Sequence, residues 1–275
     1  MRLVTFRAGD AIQVGELQED RIRVLAAPTM VDWLAGEGRR ETGVELGRED
    51  VELLAPVPEP PSVRDFFAFE EHVRTGMRLR GGDVPEAWYE APTFYFSNPA
   101  SIVGPGAAVT KPAETDLLDF ELELAAVIGA GQRIAAYTLL NDWSARDVQG
   151  REMTVGLGPA KGKDFAISLG PWLVTADEVP LADGRVDLEA TATVNGEQLT
   201  QSWAGAQYFP WSDLVAHAAR NTRLRPGDVL GSGTLNRGCL LELGPLEGNR
   251  FLQPGDTVAL EAGPLGRLEN TISRP

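Results

Sequence analysis

The segment Phe120-Glu121-Leu122-Glu123-Leu124-Ala125-Ala126-Val127-Ile128 constrains this chain more than any other. It alternates with the two-residue period of a β-strand. Phe120, Leu122, Leu124, Ala126 and Ile128 fall on one face, and Glu121, Glu123, Ala125 and Val127 on the other. The two carboxylates therefore point the same way, ~7 Å apart along the strand. Their neighbours are small or apolar, so this face is partly enclosed. Charge in such a place is costly unless it is paired or binds something.

The next segments of the chain supply partners. Tyr137 to Leu140 reads as the next strand and ends on Asn141-Asp142. Carboxylates from separate strands converging on one point are the donor set of a hard divalent cation. A solvated face of alternating glutamates is the plainer reading of Glu-Leu-Glu alone; the apolar surroundings and Asp142 at a strand end argue against it. Ser144 then reads as a helix N-cap with Asp147 at the capping-box position. Arg146 and Gln149, at i and i+3, share a face of that helix. With Lys163 in Gly162-Lys163-Asp164-Phe165, they are donors fit to cradle a carboxylate or oxyanion. Their plainer role is ion pairing with Asp147, Glu152 and Asp164. A phosphate-loop reading of Gly156 to Lys163 fails, because the glycine spacing is wrong and Asp164 stands where Ser or Thr belongs.

Two histidines and one cysteine remain. His217 lies among Leu214, Val215, Ala216 and Ala218 and reads as structural. His72 follows Glu70-Glu71 at the start of a short helix and is the better general-base candidate. Cys239 opens the apolar run Gly238-Cys239-Leu240-Leu241, expected to be a strand, and reads as a buried, inert thiol.

Elsewhere the chain is turn-rich, with Gly 30 and Pro 19 in 275 residues, which favours a mainly β (α+β) fold. Residues 1–55 read as a small N-terminal β-rich domain: strands near Leu3–Phe6, Ile12–Leu17 and Arg21–Leu25, and a helix from Val31 that stops at Gly36. Residues 56–62, centred on Pro56-Val57-Pro58-Glu59-Pro60-Pro61, form a stiff linker. Residues 63–275 form the main domain. Within it the run 70–74 starts a helix that Gly81-Gly82 breaks, followed by a mobile loop to about Ala91. Asn195-Gly196 between Val186–Val194 and Glu197–Trp203 marks a type I′ hairpin. Ser212 to Arg220 reads as an amphipathic helix, and Pro226-Gly227-Asp228 and Pro254-Gly255-Asp256 each lead into a strand. A net charge of -15 leaves no basic patch for nucleic acid. No run approaches the ~20 apolar residues of a membrane span. One cysteine and no apolar leader fit a cytoplasmic location.

Taken in order, Asp-Phe-Glu-Leu-Glu (119–123), Asn-Asp-Trp-Ser-Ala-Arg-Asp-Val-Gln (141–149), Gly-Lys-Asp-Phe (162–165), Gly-Ser-Gly-Thr (231–234) and Gly-Cys-Leu-Leu-Glu-Leu (238–243) resemble the fumarylacetoacetate hydrolase family over about residues 60–273. The resemblance implies a β-rich, barrel-like C-terminal domain and a homodimer. It implies Mg²⁺, Mn²⁺ or Ca²⁺ held by Asp65, Glu121, Glu123 and Asp142. It implies a catalytic His72–Glu242 dyad, with Arg146, Gln149 and Lys163 around an oxyanion and Thr234 on a substrate carboxylate. The implied activity is hydrolysis of a C–C bond in a small-molecule 1,3-dicarbonyl keto acid, such as an acylpyruvate or fumarylacetoacetate. Alternatives are decarboxylation of a 2-oxo acid such as oxaloacetate, isomerisation of a dienoic diacid, or a non-catalytic metal-binding scaffold. The chain departs from many relatives in its short Gly129–Arg133 connection and in Asn98-Pro99 where Lys-Pro is common. Phe67 and Phe96 lie in the neighbourhoods of substrate-binding tyrosines.

Overall fold

The computed structural model describes residues 1–275. The chain is mainly β, as its turn-rich composition predicts. A long sheet runs in the order Glu41–Gly47, Arg21–Leu25, Ala11–Gln18, Arg2–Ala8, Ile167–Thr175, Ile134–Asp142, Leu122–Ile128, Val229–Gly231, Val63–Phe66, Phe94–Ser97. Two short strands join it at the side: Glu52–Leu53 on Arg2–Ala8, and Ile102–Val103 on Ile167–Thr175. The N-terminal strands thus continue the main sheet, with Leu3 opposite Leu173. A second sheet orders Glu197–Trp203, Glu189–Val194, Thr257–Glu261, Arg267–Ser273 and Ala108–Thr110.

The strand Leu122–Ile128 is buried along its whole length. Its two faces serve different cores. Leu122, Leu124, Ala126 and Ile128 join the large core shared with the second sheet, including Leu260 and Leu268. Ala125 and Val127 join a smaller core with Leu3, Trp33, Leu140 and Leu169. The alternation of the sequence is therefore a division between two apolar layers, not between core and water.

Local chemistry sets the other elements. Thr29 caps the helix Met30–Ala35, its hydroxyl accepting from the Asp32 amide while the Asp32 carboxylate accepts from the Thr29 amide. Gly36 ends that helix at φ 103°, where a Cβ would strain. Asn195 and Gly196 both take positive φ, the geometry a type I′ turn requires. Both Pro-Gly-Asp turns do lead into strands, Val229–Gly231 and Thr257–Glu261.

Four local expectations are corrected. The alternating segment is not one strand from Phe120: it breaks between Leu118–Asp119 and Leu122–Ile128, and the Glu121 amide donates to Asn141 Oδ1 at 2.9 Å across the break. Ser144 is not an N-cap. It pairs with Asp119 in a two-residue strand, its hydroxyl donates to the Asp142 carbonyl, and the helix starts at Arg146. Asp147 instead accepts from Thr115 Oγ1 at 2.5 Å and the Asp116 amide at 3.0 Å. Leu240–Leu243 is a short helix rather than a strand, because Asp119 accepts its first two amides, those of Leu240 and Leu241. Finally, the segment before Ala91 is not all loop. After the helix Glu70–Leu79 comes a second, Glu86–Glu90, held by buried Trp88, whose indole N–H donates to the Phe67 carbonyl at 2.6 Å.

Candidate active site

Asp65 lies in the strand Val63–Phe66, Glu123 near the start of Leu122–Ile128, and Asp142 at the end of Ile134–Asp142. Between the first two runs Val229–Gly231, with Gly231 opposite both Asp65 and Ala125. A Cβ on Gly231 would stand 2.3 Å from Asp65 Oδ1 and 3.2 Å from Glu123 Oε2. The missing side chain is what leaves room for two carboxylates in one place.

Asp65, Glu123 and Asp142 each offer an oxygen within 4.8 Å of the others, and all three are buried. Glu123 Oε2 and Asp142 Oδ1 have no hydrogen-bond partner. Buried carboxylate oxygens left without a donor are rare and call for a cation. Burial, then the neighbouring Asp142 charge, pushes Asp65 well above the usual carboxylate range; burial, then Asp65 and Glu121, does the same to Glu123. An all-oxygen donor set of this charge fits a hard divalent cation, and Asp65, Glu123 and Asp142 are the residues placed to hold one.

Glu121 differs from the other acids. Lys163 Nζ bonds both Glu121 and Asp142, the latter at 2.5 Å. Arg146 Nη1 is 2.8 Å from Glu121 Oε1. Against the cost of burial, Lys163 and Arg146 hold Glu121 below the usual range. Its oxygens are thus occupied by cationic side chains, and the structure gathers three of the four expected ligands without it. Burial opposes the charge on Lys163, but Asp142 and Glu121 outweigh it and push the ammonium up.

His72 stands in the first turn of Glu70–Leu79, its ring packed edge-on against Phe67 at 5.4 Å. Its Nδ1 lies 3.1 Å from Glu242 Oε2, and its Nε2 faces Glu121 Oε1 at 3.9 Å. Glu242 reaches this place through the short helix that replaced the expected strand, and Oε2 also accepts from the Gly238 amide. Thr234 Oγ1 donates to Glu123 Oε1 at 3.3 Å, and Gln149 Oε1 accepts from Arg146 Nη1 at 3.3 Å. All but Asp142 and Glu242 of the expected site residues line one cleft of about 290 Å³.

Three contributors escaped the sequence reading. Asp119 is fully buried; its Oδ2 accepts from Arg146 Nε at 2.8 Å, and its carboxylate accepts the Leu240 and Leu241 amides. One side chain therefore holds both Arg146 and the helix carrying Glu242. Its place two residues before Glu121 was visible, but nothing in the sequence tied it to residue 240. Tyr95 donates its hydroxyl to Asp142 Oδ2 at 2.5 Å, from the strand Phe94–Ser97. Arg80 lines the cleft without an ion-pair partner. His217 stands apart, half-buried beside Phe94.

The sequence from 62 to 273 matches the family described as "Fumarylacetoacetate (FAA) hydrolase C-terminal". The chain belongs to the fumarylacetoacetate hydrolase family. Residues 1–56 match a second description, "Rv2993c-like, N-terminal". The fumarylacetoacetase of Oryza sativa is 31% identical over 284 residues, covering 78% of this chain and 66% of that enzyme. This chain thus spans just under two thirds of that relative's length. The oxaloacetate tautomerase YisK of Bacillus subtilis is 30% identical over 236 residues, covering 81% of this chain and 73% of that protein. The crystal structure of a 5-carboxymethyl-2-hydroxymuconate delta-isomerase from Mycobacterium smegmatis superposes with a TM-score of 0.75 at 27% identity, each chain covered completely. Family members therefore carry hydrolase, tautomerase and isomerase names on one fold. No helix of this chain is long and apolar enough to cross a membrane.

Proposed function

We propose that this chain hydrolyses a C–C bond in a 2,4-dioxo acid of the acylpyruvate type. The observation that carries this reading is the His72–Glu242 pair, 3.1 Å apart at Nδ1, with Nε2 turned toward the acidic cluster of the cleft. Glu242 holds the imidazole with its proton on Nδ1 and leaves Nε2 free to accept one. A reaction that only moves a proton within the substrate has no need of an oriented base for water.

Mg²⁺, Mn²⁺ or Ca²⁺ bound by Asp65, Glu123 and Asp142, with Glu121 beside them, would supply Lewis-acid polarisation of the substrate's oxygens. His72 takes a proton from water as its oxygen bonds to the C4 carbonyl carbon. The C4 oxyanion that forms is met by donors of Arg146, Gln149 and Lys163, all of which line the cleft. The C3–C4 bond then breaks, and its electron pair stays on C3 as the enolate of pyruvate. Protonation at C3, from His72 or Lys163, gives pyruvate; the other fragment leaves as a carboxylic acid. Thr234 lines the same cleft, and its hydroxyl would bind the substrate carboxylate. Arg80, free of any ion pair there, suits a second carboxylate at the far end of the substrate.

A second reading, proton transfer or decarboxylation on a 2-oxo acid such as oxaloacetate, is favoured by the 30% identity to the B. subtilis tautomerase. Product analysis with Mg²⁺ or Mn²⁺ separates the two. Acylpyruvates should yield pyruvate and a carboxylic acid in equal amounts. Turnover of enol oxaloacetate alone, with no acylpyruvate cleaved, would overturn the hydrolase reading. An inactive chain that binds no divalent ion would instead favour a retained scaffold.

Gly231 offers a test of the cation site that does not depend on the substrate. Gly231→Ala pushes a methyl group onto Asp65 and Glu123. Calorimetric Mn²⁺ titration should show affinity weakened by about 10–100-fold. Unchanged affinity would remove Asp65 and Glu123 from the ligand set.

A further inference from the structure

Behind His72, away from the carboxylate cluster, lies a second group of metal-binding side chains. Cys239 Sγ is 3.5 Å from Glu242 Oε2 and 4.0 Å from His72 Nδ1, and the last two are 3.1 Å apart. An ion bound tetrahedrally with zinc-like bond lengths holds sulfur about 3.5 Å from nitrogen or oxygen, and nitrogen about 3.3 Å from oxygen. The triangle already present needs only a few tenths of an ångström to meet those values. All three side chains are buried, and Glu242 Oε1 has no hydrogen-bond partner. Sulfur, nitrogen and one oxygen make a softer set than the all-oxygen cluster in front.

We propose that His72, Cys239 and Glu242 form an inhibitory site for a thiophilic divalent cation such as Zn²⁺. Burial, then the nearby Asp119 charge, keeps the Cys239 thiol protonated in the absence of such an ion. The same carboxylate charges favour a dication, whose own charge lets the thiol lose its proton. On binding, the S–H bond breaks, a metal–sulfur bond forms and one proton goes to solvent. The imidazole must offer its Nδ1 lone pair, so its proton moves to Nε2. That tautomer cannot accept a proton from water at Nε2. Occupation of this site and base catalysis by His72 are therefore mutually exclusive. The binding claim stands apart from the proposed reaction; only the inhibition rests on it.

Because Cys239 is the sole cysteine, any metal–thiolate signal reports this site. Cd²⁺ is the probe, added to the full chain in saturating Mg²⁺ so that the oxygen ligands are occupied. A cadmium–thiolate charge-transfer absorption should appear and saturate at one ion per chain. His72→Ala and Glu242→Gln should each weaken the apparent affinity at least about tenfold, the loss expected when a metal site loses a partner. Acylpyruvate cleavage should fall in parallel with the signal. Cys239→Ser, scored against its own activity without cadmium, should resist this inhibition. Absence of the absorption, or affinity unchanged in both His72→Ala and Glu242→Gln, overturns the site. Inhibition of Cys239→Ser equal to that of the unmodified chain assigns the effect to the oxygen cluster and overturns the inhibitory role. If no acylpyruvate is cleaved at all, the absorption still decides whether the ion binds.

Discussion

His72→Ala is expected to lower kcat for acylpyruvate cleavage by about 10²–10⁴-fold, the range of general-base contributions. The affinity for Mn²⁺ should be retained, since His72 stands behind Glu121 and outside the group formed by Asp65, Glu123 and Asp142. The loss should fall on kcat more than on KM, because the imidazole acts on water and not on the substrate's ground-state contacts. Glu242→Gln should produce a smaller loss of the same kind, and the double variant should be little worse than His72→Ala alone, as two groups acting as a unit are not additive. Steady-state kinetics with pyruvate detection checks all three. Full activity in His72→Ala would remove the dyad from the reaction.

The second large effect is structural. Asp119→Ala should destabilise the chain by about 3–5 kcal/mol, the cost of breaking a buried charge pair. Asp119 is fully buried, and its removal takes the acceptor from Arg146 Nε and from the Leu240 and Leu241 amides together. Glu121, 2.8 Å from Arg146 Nη1, retains part of the pairing, which places the effect nearer the lower figure. Urea denaturation, followed by the shift of midpoint at constant slope, measures it. A loss below about 1 kcal/mol would mean this pair counts for no more than an exposed one.

Much of this architecture was legible in the chain. The Asn195-Gly196 turn, the Gly36 helix stop and the two Pro-Gly-Asp turns are local. Each rests on backbone angles that only a few residue types accept, so nearby sequence decides them. The alternation from Leu122 to Ile128 announced a strand for the same reason, the fixed period of the backbone, whereas Glu121 falls in the break before it, where the Asn141 side chain takes its amide. Leu240–Leu243 was not legible. Its apolar run suits a strand, but a carboxylate 121 positions earlier captures its first amides and turns it into a helix. Ser144 likewise has the chemistry of a cap, yet Asp119 across a two-residue ladder takes it into a strand. Where two local options differ by a kilocalorie or so, one long-range hydrogen bond to a charged group decides between them.

By itself the sequence determined the mainly β class, the motifs of the fumarylacetoacetate hydrolase family and the residue types available to a site. Only the tertiary structure decided what those residues do to one another. It put Lys163 and Arg146 on Glu121, left Glu123 Oε2 and Asp142 Oδ1 without donors, and set Cys239 behind the His72–Glu242 pair. The reason is electrostatic. A buried charge takes its character from the few groups within several ångströms, and in this chain those groups come from strands and helices far apart in sequence.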